Sequence, residues 1–322
     1  VNYKKITHRS TLLAYICHMK KRVILMILDG WGIATHKEAS AVDAAATPFI
    51  DGLYEKYSHS TLEASGVAVG LPKGQMGNSE VGHMNIGAGR VVFQDLMKIN
   101  IAVEKGTLGE EKTLIEAFDY AKENQRAIHF IGLVSDGGVH AHLDHLKGLI
   151  KAAHKHNCSK VFVHAFTDGR DCDPKSGLIF INDLLTYLKR HVGSVASVVG
   201  RYYAMDRDKR WERVKVAYKA LVKGTGIKTT NVASAIEAAY AKDITDEFMP
   251  PIIATDTSGQ PIAKINQGDV VMCFNFRTDR GREITEVLTQ RDIPDEGMYK
   301  MSLHYLTMTN YDDSYKNIKV VF

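Results

Sequence analysis

Val161-Phe162-Val163-His164-Ala165-Phe166-Thr167-Asp168-Gly169-Arg170-Asp171 passes from an apolar run straight into polar and charged residues. The run Val161 to Phe166 has the length of a strand, and the Asp-Gly that follows marks a turn. The same succession recurs along the chain. Val23 to Leu28 leads into Asp29-Gly30, and Ala127 to Val134 into Ser135-Asp136-Gly137-Gly138. Val195 to Val199 leads into Gly200-Arg201, and Val270 to Phe274 into Asn275-Phe276-Arg277. Continuous apolar runs are the signature of strands buried on both faces, as in a parallel sheet. Between them, Leu143, Leu146, Ile150 and Ala153 recur at helical spacing, as do Trp211, Val214, Tyr218, Leu221 and Val222, with Gly224 as a stop. The expected class is α/β with a largely parallel sheet. In such sheets ligands bind outside the carboxyl ends of the strands, which is where these polar residues fall. Residues 225–268 read as loops with one short helix near Ala233 to Ala241.

The chain has 322 residues, room for roughly two domains of about 150 residues each. Hydrophobic residues make up 45% and charged residues 24%, an ordinary globular balance. The net charge of +4 is spread along the chain, which argues against a nucleic-acid-binding face and suits a small anionic substrate. Cys17, Cys158, Cys172 and Cys273 form no C-x-x-C pair, which argues against a zinc ribbon or a disulfide framework and for a reducing cytosol. No apolar run approaches the roughly 18 residues of a membrane helix. Val1 to His18 is basic, without acidic residues or a clear period. Met19 reads as the natural start, so residues 1–19 are expected to be an extension outside the fold. The last residues, Val320-Val321-Phe322, follow no terminating signal, and a fragment is expected.

Three groups of residues carry chemistry. Asp29, at the end of a buried strand, is placed to ligate a divalent metal through hard oxygen, or simply to cap an Asp-Gly turn. Gly74-Gln75-Met76-Gly77-Asn78-Ser79-Glu80-Val81-Gly82-His83 surrounds one serine with glycines. Such a loop lets backbone N–H groups approach a phosphate, and a helix starting near Ser79 favours negative charge there. The plainer alternative makes Ser79 a helix cap. The third group is His140, Arg170, Asp171, Arg201, Arg207, Arg277 and Arg280. Arginine forks match carboxylate and phosphate oxygens. Any one of these arginines reads as surface charge paired with Asp206, Asp208 or Asp279, whereas five near strand ends favour a site for a doubly anionic ligand.

Taken together, Ile27-Leu28-Asp29-Gly30-Trp31-Gly32, Met76 to His83, Ser135 to His140, Asp168 to Asp171, Gly200 to Arg207 and Phe274 to Arg277 resemble the cofactor-independent phosphoglycerate mutases. The similarity runs in order from about Lys20 to Phe322. It implies an alkaline-phosphatase-like domain, of which residues 20–93 are the N-terminal part, and an inserted α/β transferase domain over residues 94–322. It further implies Ser79 as nucleophile and metal-adjacent group, Asp29 as a manganese ligand in a site for two divalent ions, and the third group as the substrate-binding set. The implied reaction interconverts 3-phosphoglycerate and 2-phosphoglycerate through a phosphoserine. A cytoplasmic monomer with no nucleic-acid or membrane partner is expected. The family's Asp-His-Gly-Asn motif, its other metal ligands and its substrate lysine have no counterpart here, so the chain alone is expected to be inactive. Two alternatives stand beside this reading: another alkaline-phosphatase-like phosphomutase or phosphatase, and a non-catalytic phosphoglycerate-binding fragment.

Overall fold

The computed structural model describes residues 23–322, and the five apolar runs meet two fates in it. Four become neighbouring strands: β1 (Ile128–Leu133), β2 (Val161–Thr167), β3 (Ser194–Gly200) and β6 (Val270–Cys273). Nearly every residue in them is buried. The fifth, Val23 to Leu28, is not a strand. It has no ladder partner among the described residues, and Val23 and Ile24 are 88% and 89% exposed. The expectation of a buried strand fails there because an apolar run is buried only where other elements cover it. The proposed extension, residues 1–19, lies outside the described residues.

Four shorter strands complete an eight-stranded sheet: β4 (Ile227–Thr229), β5 (Ile252–Ala254), β7 (His304–Thr307) and β8 (Ile318–Val320). The order is β4-β5-β3-β2-β1-β6-β7-β8. All pairings are parallel except β3 with β5, where Ser197 faces Ile253 and Val198 faces Ile252. Residues 225–268, expected to hold loops and one helix, thus also contribute two strands. From β1 the chain builds outward through β2 and β3, then returns to β1's other edge with β6. The boundary between β1 and β6 is therefore the point where strand order reverses, the place in an open sheet where a crevice forms.

The chain divides into two compact units, one of residues 23–69 with Met76–Val91, the other of Gly70–Gln75 with Val92–Phe322. The first contains helices α1 (Pro48–Lys56) and α2 (Ser79–Ala88). The second contains the sheet with α3 (Asp95–Lys105), α4 (Lys112–Glu123), α5 (Leu143–Lys155), α6 (Gly177–Arg190), α7 (Trp211–Lys223), α8 (Val232–Tyr240) and α9 (Arg282–Thr289). The predicted stripes hold: α5 buries Leu143, Leu146, Ile150 and Ala153, and α7 buries Val214, Tyr218 and Leu221. Gly224 ends α7 in the left-handed region at φ 65°, where lack of a Cβ removes the steric penalty.

A chain of buried polar side chains crosses the middle of the sheet. Ser197 Oγ lies 2.7 Å from His164 Nδ1, His164 Nε2 3.0 Å from His129 Nδ1, and His129 Nε2 3.3 Å from Asp269 Oδ2. One orientation satisfies every atom: the serine donates to His164, His164 to His129, and His129 to the carboxylate. A one-residue slip of β1, β2 or β3 would break this chain and leave buried polar groups unpaired, which costs about 1–3 kcal/mol each.

Burial holds His145 down to about 3 and His164 well below the ordinary imidazole value. His140 falls to about 4, through burial and then the charge of Arg201. As pH falls through about 6.5, the unfolded chain gains protons that these folded histidines refuse, so stability is lost with acidification. The expected slope is ~1.4 kcal/mol per pH unit for each histidine. Denaturant unfolding between pH 7 and pH 5 measures it; His145→Phe should remove about one of the three contributions, and a pH-independent unfolding free energy would contradict this account.

Candidate active site

At the carboxyl ends of β1, β2, β3 and β6 the chain gathers charge. Asp168, just past β2, is 2% exposed and sits at the centre. Its Oδ2 accepts from Ser135 Oγ at 2.7 Å; its Oδ1 accepts from Asp171 N at 2.9 Å and Arg201 at 2.6 Å. The same Arg201 nitrogen donates to Asp171 Oδ2 at 2.6 Å. Burial opposes ionisation of Asp168, but the Asp171 N–H, the Ser135 hydroxyl and Arg201 together hold its carboxyl below the usual range. Arg201 lies directly after Gly200, the last residue of β3. Gly200 N donates to Met249 O at 2.8 Å, and a Cβ on Gly200 would lie 2.6 Å from Met249 N. Only glycine lets this segment lie so close to the strand end.

His140 follows β1; Arg277, Asp279 and Arg280 follow β6; and Arg170 and Arg207 come from the loops after β2 and β3. The His140 carbonyl accepts from Phe276 N at 2.9 Å and Arg277 N at 3.2 Å, which joins the two loops at the point where strand order reverses. The His140 ring lies between carboxylates, its Nδ1 3.5 Å from Asp279 Oδ1 and its Nε2 3.8 Å from Asp171 Oδ2. Arg207 donates to Asp279 Oδ2 at 3.0 Å, and Arg277 Nε is 3.1 Å from Asp279 Oδ1. Arg170 reaches Glu247 at 3.3 Å, and Arg280 donates to Met205 O at 2.9 Å. Arg280 is held below its ordinary value by burial, then by repulsion from Arg201 and Arg207. Five guanidiniums thus meet four carboxylates (Asp168, Asp171, Asp279 and Glu247), and Arg170, Arg207 and Arg277 keep about half their surface open.

All seven residues of the third sequence group therefore come together, with Arg201 fixed in the interior and Arg170, Arg207 and Arg277 half exposed. Of the carboxylates weighed as ordinary partners, Asp279 pairs with Arg207 and Arg277, whereas Asp206 and Asp208 pair with Arg210 instead. Asp168 and Ser135 were not singled out from the sequence. Asp168 carried a usable signal, since it ends a buried strand as Asp29 was expected to.

In the first unit, Ser79 opens α2 and is not its cap. Asn78 is the N-cap, its Oδ1 accepting from Val81 N at 3.0 Å. Ser79 Oγ is thereby free to donate to Asp29 Oδ2 at 2.6 Å. A Cβ on Gly77 would overlap the Ala64 carbonyl, so the loop before the helix needs a glycine there. Asp29, Ser79 and His83 line a cavity of about 530 Å³ within this unit. Asp29 and Ser79 offer hard oxygen donors of the type a divalent ion takes, but such an ion needs about six. Among the described residues no group of three or more His, Cys, Asp or Glu is placed to hold a metal. This pair does not by itself fit two ions.

An arginine-rich cluster at the carboxyl ends of a mostly parallel sheet, in a chain that also carries a serine at a helix N-terminus, defines a class of α/β protein. Comparison narrows the class. The family model described as BPG-independent PGAM N-terminus matches residues 99–313. The 2,3-bisphosphoglycerate-independent phosphoglycerate mutase of Flavobacterium johnsoniae is 58% identical over 304 residues, covering 94% of this chain and 60% of its own length. That of Bacteroides fragilis is 52% identical, with the same coverage. A Leishmania mexicana phosphoglycerate mutase, crystallised at low cobalt concentration, shares the fold with a TM-score of 0.68 at 33% identity, over 89% of this chain and 55% of that one. The chain belongs to the BPG-independent phosphoglycerate mutase family. It spans about 60% of the length of the curated relatives it matches.

The geometry separates a buried arginine from half-exposed ones. Arg201→Ala leaves two carboxylates without their cation and should destabilise the fold by about 3–5 kcal/mol. Arg207→Ala removes a half-exposed ion pair and should cost below about 1 kcal/mol. Urea unfolding of the two variants is the check; equal losses would contradict the assignment.

Proposed function

We propose that this chain carries the phosphoryl-accepting serine and the glycerate-binding surface of a mutase that interconverts 3-phosphoglycerate and 2-phosphoglycerate. The observation that carries the proposal is the gathering of Arg170, Arg207, Arg277 and Arg280 around His140 and Arg201, in a chain that belongs to this family. A phosphoglycerate presents a carboxylate, a hydroxyl and a phosphate dianion, so several arginine forks can be used at once. In this reading the serine unit is part of an alkaline-phosphatase-like domain, and the sheet unit is the transferase domain inserted into it. The division after Val91 supports the boundary expected near residue 93.

In the first half-reaction Ser79 Oγ gives up its proton and attacks phosphorus, the bond from phosphorus to the substrate oxygen breaks, and the departing glycerate oxygen takes up one proton in return. Asp29 holds the serine hydroxyl in one orientation, and the N–H groups that open α2 favour the dianion on Ser79. In the second half-reaction the other hydroxyl of glycerate gives up its proton and attacks phosphorus, the bond from phosphorus to Ser79 Oγ breaks, and Ser79 takes a proton back. His140, uncharged at neutral pH, can accept a hydrogen bond from a glycerate hydroxyl. A pair of divalent ions, manganese by resemblance, would neutralise charge on the transferring group; Asp29 and Ser79 are two of the donors it requires and do not complete it. The reading includes a cytoplasmic monomer; no helix among the described residues is long and apolar enough to cross a membrane.

Two experiments test the proposal. Calorimetry on the whole chain should detect 3-phosphoglycerate binding without metal, and Arg277→Ala should weaken it roughly tenfold, as loss of one charge-assisted bond implies. Arg277→Lys should recover only part, since an ammonium lacks the bidentate fork. No binding at millimolar ligand would place the site elsewhere. In a preparation that turns over, Ser79→Ala should lose both turnover and the phosphoenzyme while ligand binding survives; phosphate release in place of isomerisation would identify a phosphatase.

A further inference from the structure

Arg207 sits in the middle of a short loop, Met205 to Arg210, whose shape is imposed from both sides. Asp206, 4% exposed, folds the loop over itself: its Oδ2 accepts from Asp208 N at 2.9 Å and Arg210 N at 3.0 Å. Lys209 has φ 57°, a left-handed conformation that a lysine adopts only when its surroundings hold it there. The holding contact comes from Glu283 in the first turn of α9, whose Oε1 accepts from Lys209 N at 2.7 Å. Arg280, just before the same helix, donates to Met205 O.

Glu283 is itself unusual. It is 5% exposed, and its Oε2 has no hydrogen-bond donor among the described residues. The group that does face it within hydrogen-bond reach is Asp206, a second carboxyl. Two buried carboxylates in contact cannot both ionise at ordinary cost. A proton on Glu283 removes the conflict: it donates to Asp206, and every oxygen of the pair is then satisfied.

We propose that Glu283 is a positioning residue for Arg207, holding one proton in a hydrogen bond to Asp206 while its other oxygen anchors Lys209, so that the loop presents the Arg207 guanidinium to the anionic ligand. The proposal rests on the reading above that Arg207 binds phosphoglycerate. Asp206 is the partner that stays ionised, because Arg210 and two backbone N–H groups favour its charge. Burial pushes the Glu283 carboxyl up to about 7, the Lys209 N–H working against it and the charge of Asp206 with it. The other charged groups that face the pair are distributed by element. From α9 come Arg282 and Glu286; from the loop and the start of α7 come Arg207, Lys209, Arg210 and Arg213. Asp279, Asp312 and Tyr315 complete the surroundings. As pH rises through 7, Glu283 loses its proton and with it the hydrogen bond to Asp206; two carboxylates then repel one another across the pair, and the loop that aims Arg207 is pushed from its place.

The test compares the whole chain with Glu283→Gln and Glu283→Ala. Glutamine can donate to Asp206 and accept from Lys209 at every pH, whereas alanine does neither. Infrared spectroscopy should find a protonated carboxyl band in the wild type near neutral pH that fades in base and is missing from Glu283→Gln. In calorimetry with 3-phosphoglycerate, the wild-type affinity relative to Glu283→Gln should fall roughly tenfold across the titration, the equivalent of one charge-assisted bond. Taking this ratio cancels the ligand's own ionisation. Glu283→Ala should bind weakly throughout. A missing band, or a wild-type profile parallel to that of Glu283→Gln, overturns the proposal. Failure of all three proteins to bind, with the band present, overturns the substrate reading and with it the positioning role, and leaves only the shared proton.

Discussion

The Arg201 guanidinium bridges Asp168 and Asp171 from the end of the adjacent strand, at 2.6 Å to each, with Arg201 and Asp168 almost shut off from water. Charges taken out of water are tolerable only in compensated groups, and breaking one partner away is expensive. The ends of β2 and β3 are therefore tied to one register. Everything nearer the solvent is placed relative to that tie. The turn carrying Arg170 hangs from Asp168, the loop carrying Arg207 starts from Arg201, and the ring of His140 stands beside Asp171. The outer arginines can remain half open because the inner one is not.

A second constraint lies deeper in the same sheet, in the hydrogen-bonded sequence Ser197, His164, His129 and Asp269. Apolar strands buried on both faces discriminate poorly between registers, since shifting them exchanges one aliphatic contact for another. A polar chain across β1, β2 and β3 has one satisfied arrangement. The interior thus fixes which residues arrive at the carboxyl ends, and the ion group there fixes how they face.

Much of this is legible in the amino-acid sequence. β1, β2, β3 and β6 are buried on both faces, and that burial writes itself as an unbroken apolar run. Because ligands of open α/β sheets sit beyond the strand ends, the arginines and His140 could be picked out by position alone. The outer strands could not: Ile227–Thr229 and Ile318–Val320 are three residues long and partly exposed, too short to show a period. The reversed direction of β5 depends on a contact with β3 that no local pattern encodes. Glu283 looks like any surface acid in a helix; its burial comes from α9 packing against α7. The run Val23 to Leu28 reads as a strand for the converse reason: composition states what a segment prefers, whereas the described residues do not cover it.

That run has a practical side. Six consecutive residues, Val-Ile-Leu-Met-Ile-Leu, carry no charge and no proline, and all six are exposed, with no ladder partner among the described residues. Short apolar segments of this kind readily add to one another as intermolecular sheet. Among the described residues this stretch is therefore the one open to pairing with another chain, whereas the sheet unit has its long central strands covered on both edges. An acidic or proline gatekeeper between Val23 and Leu28 is the change that would remove that tendency.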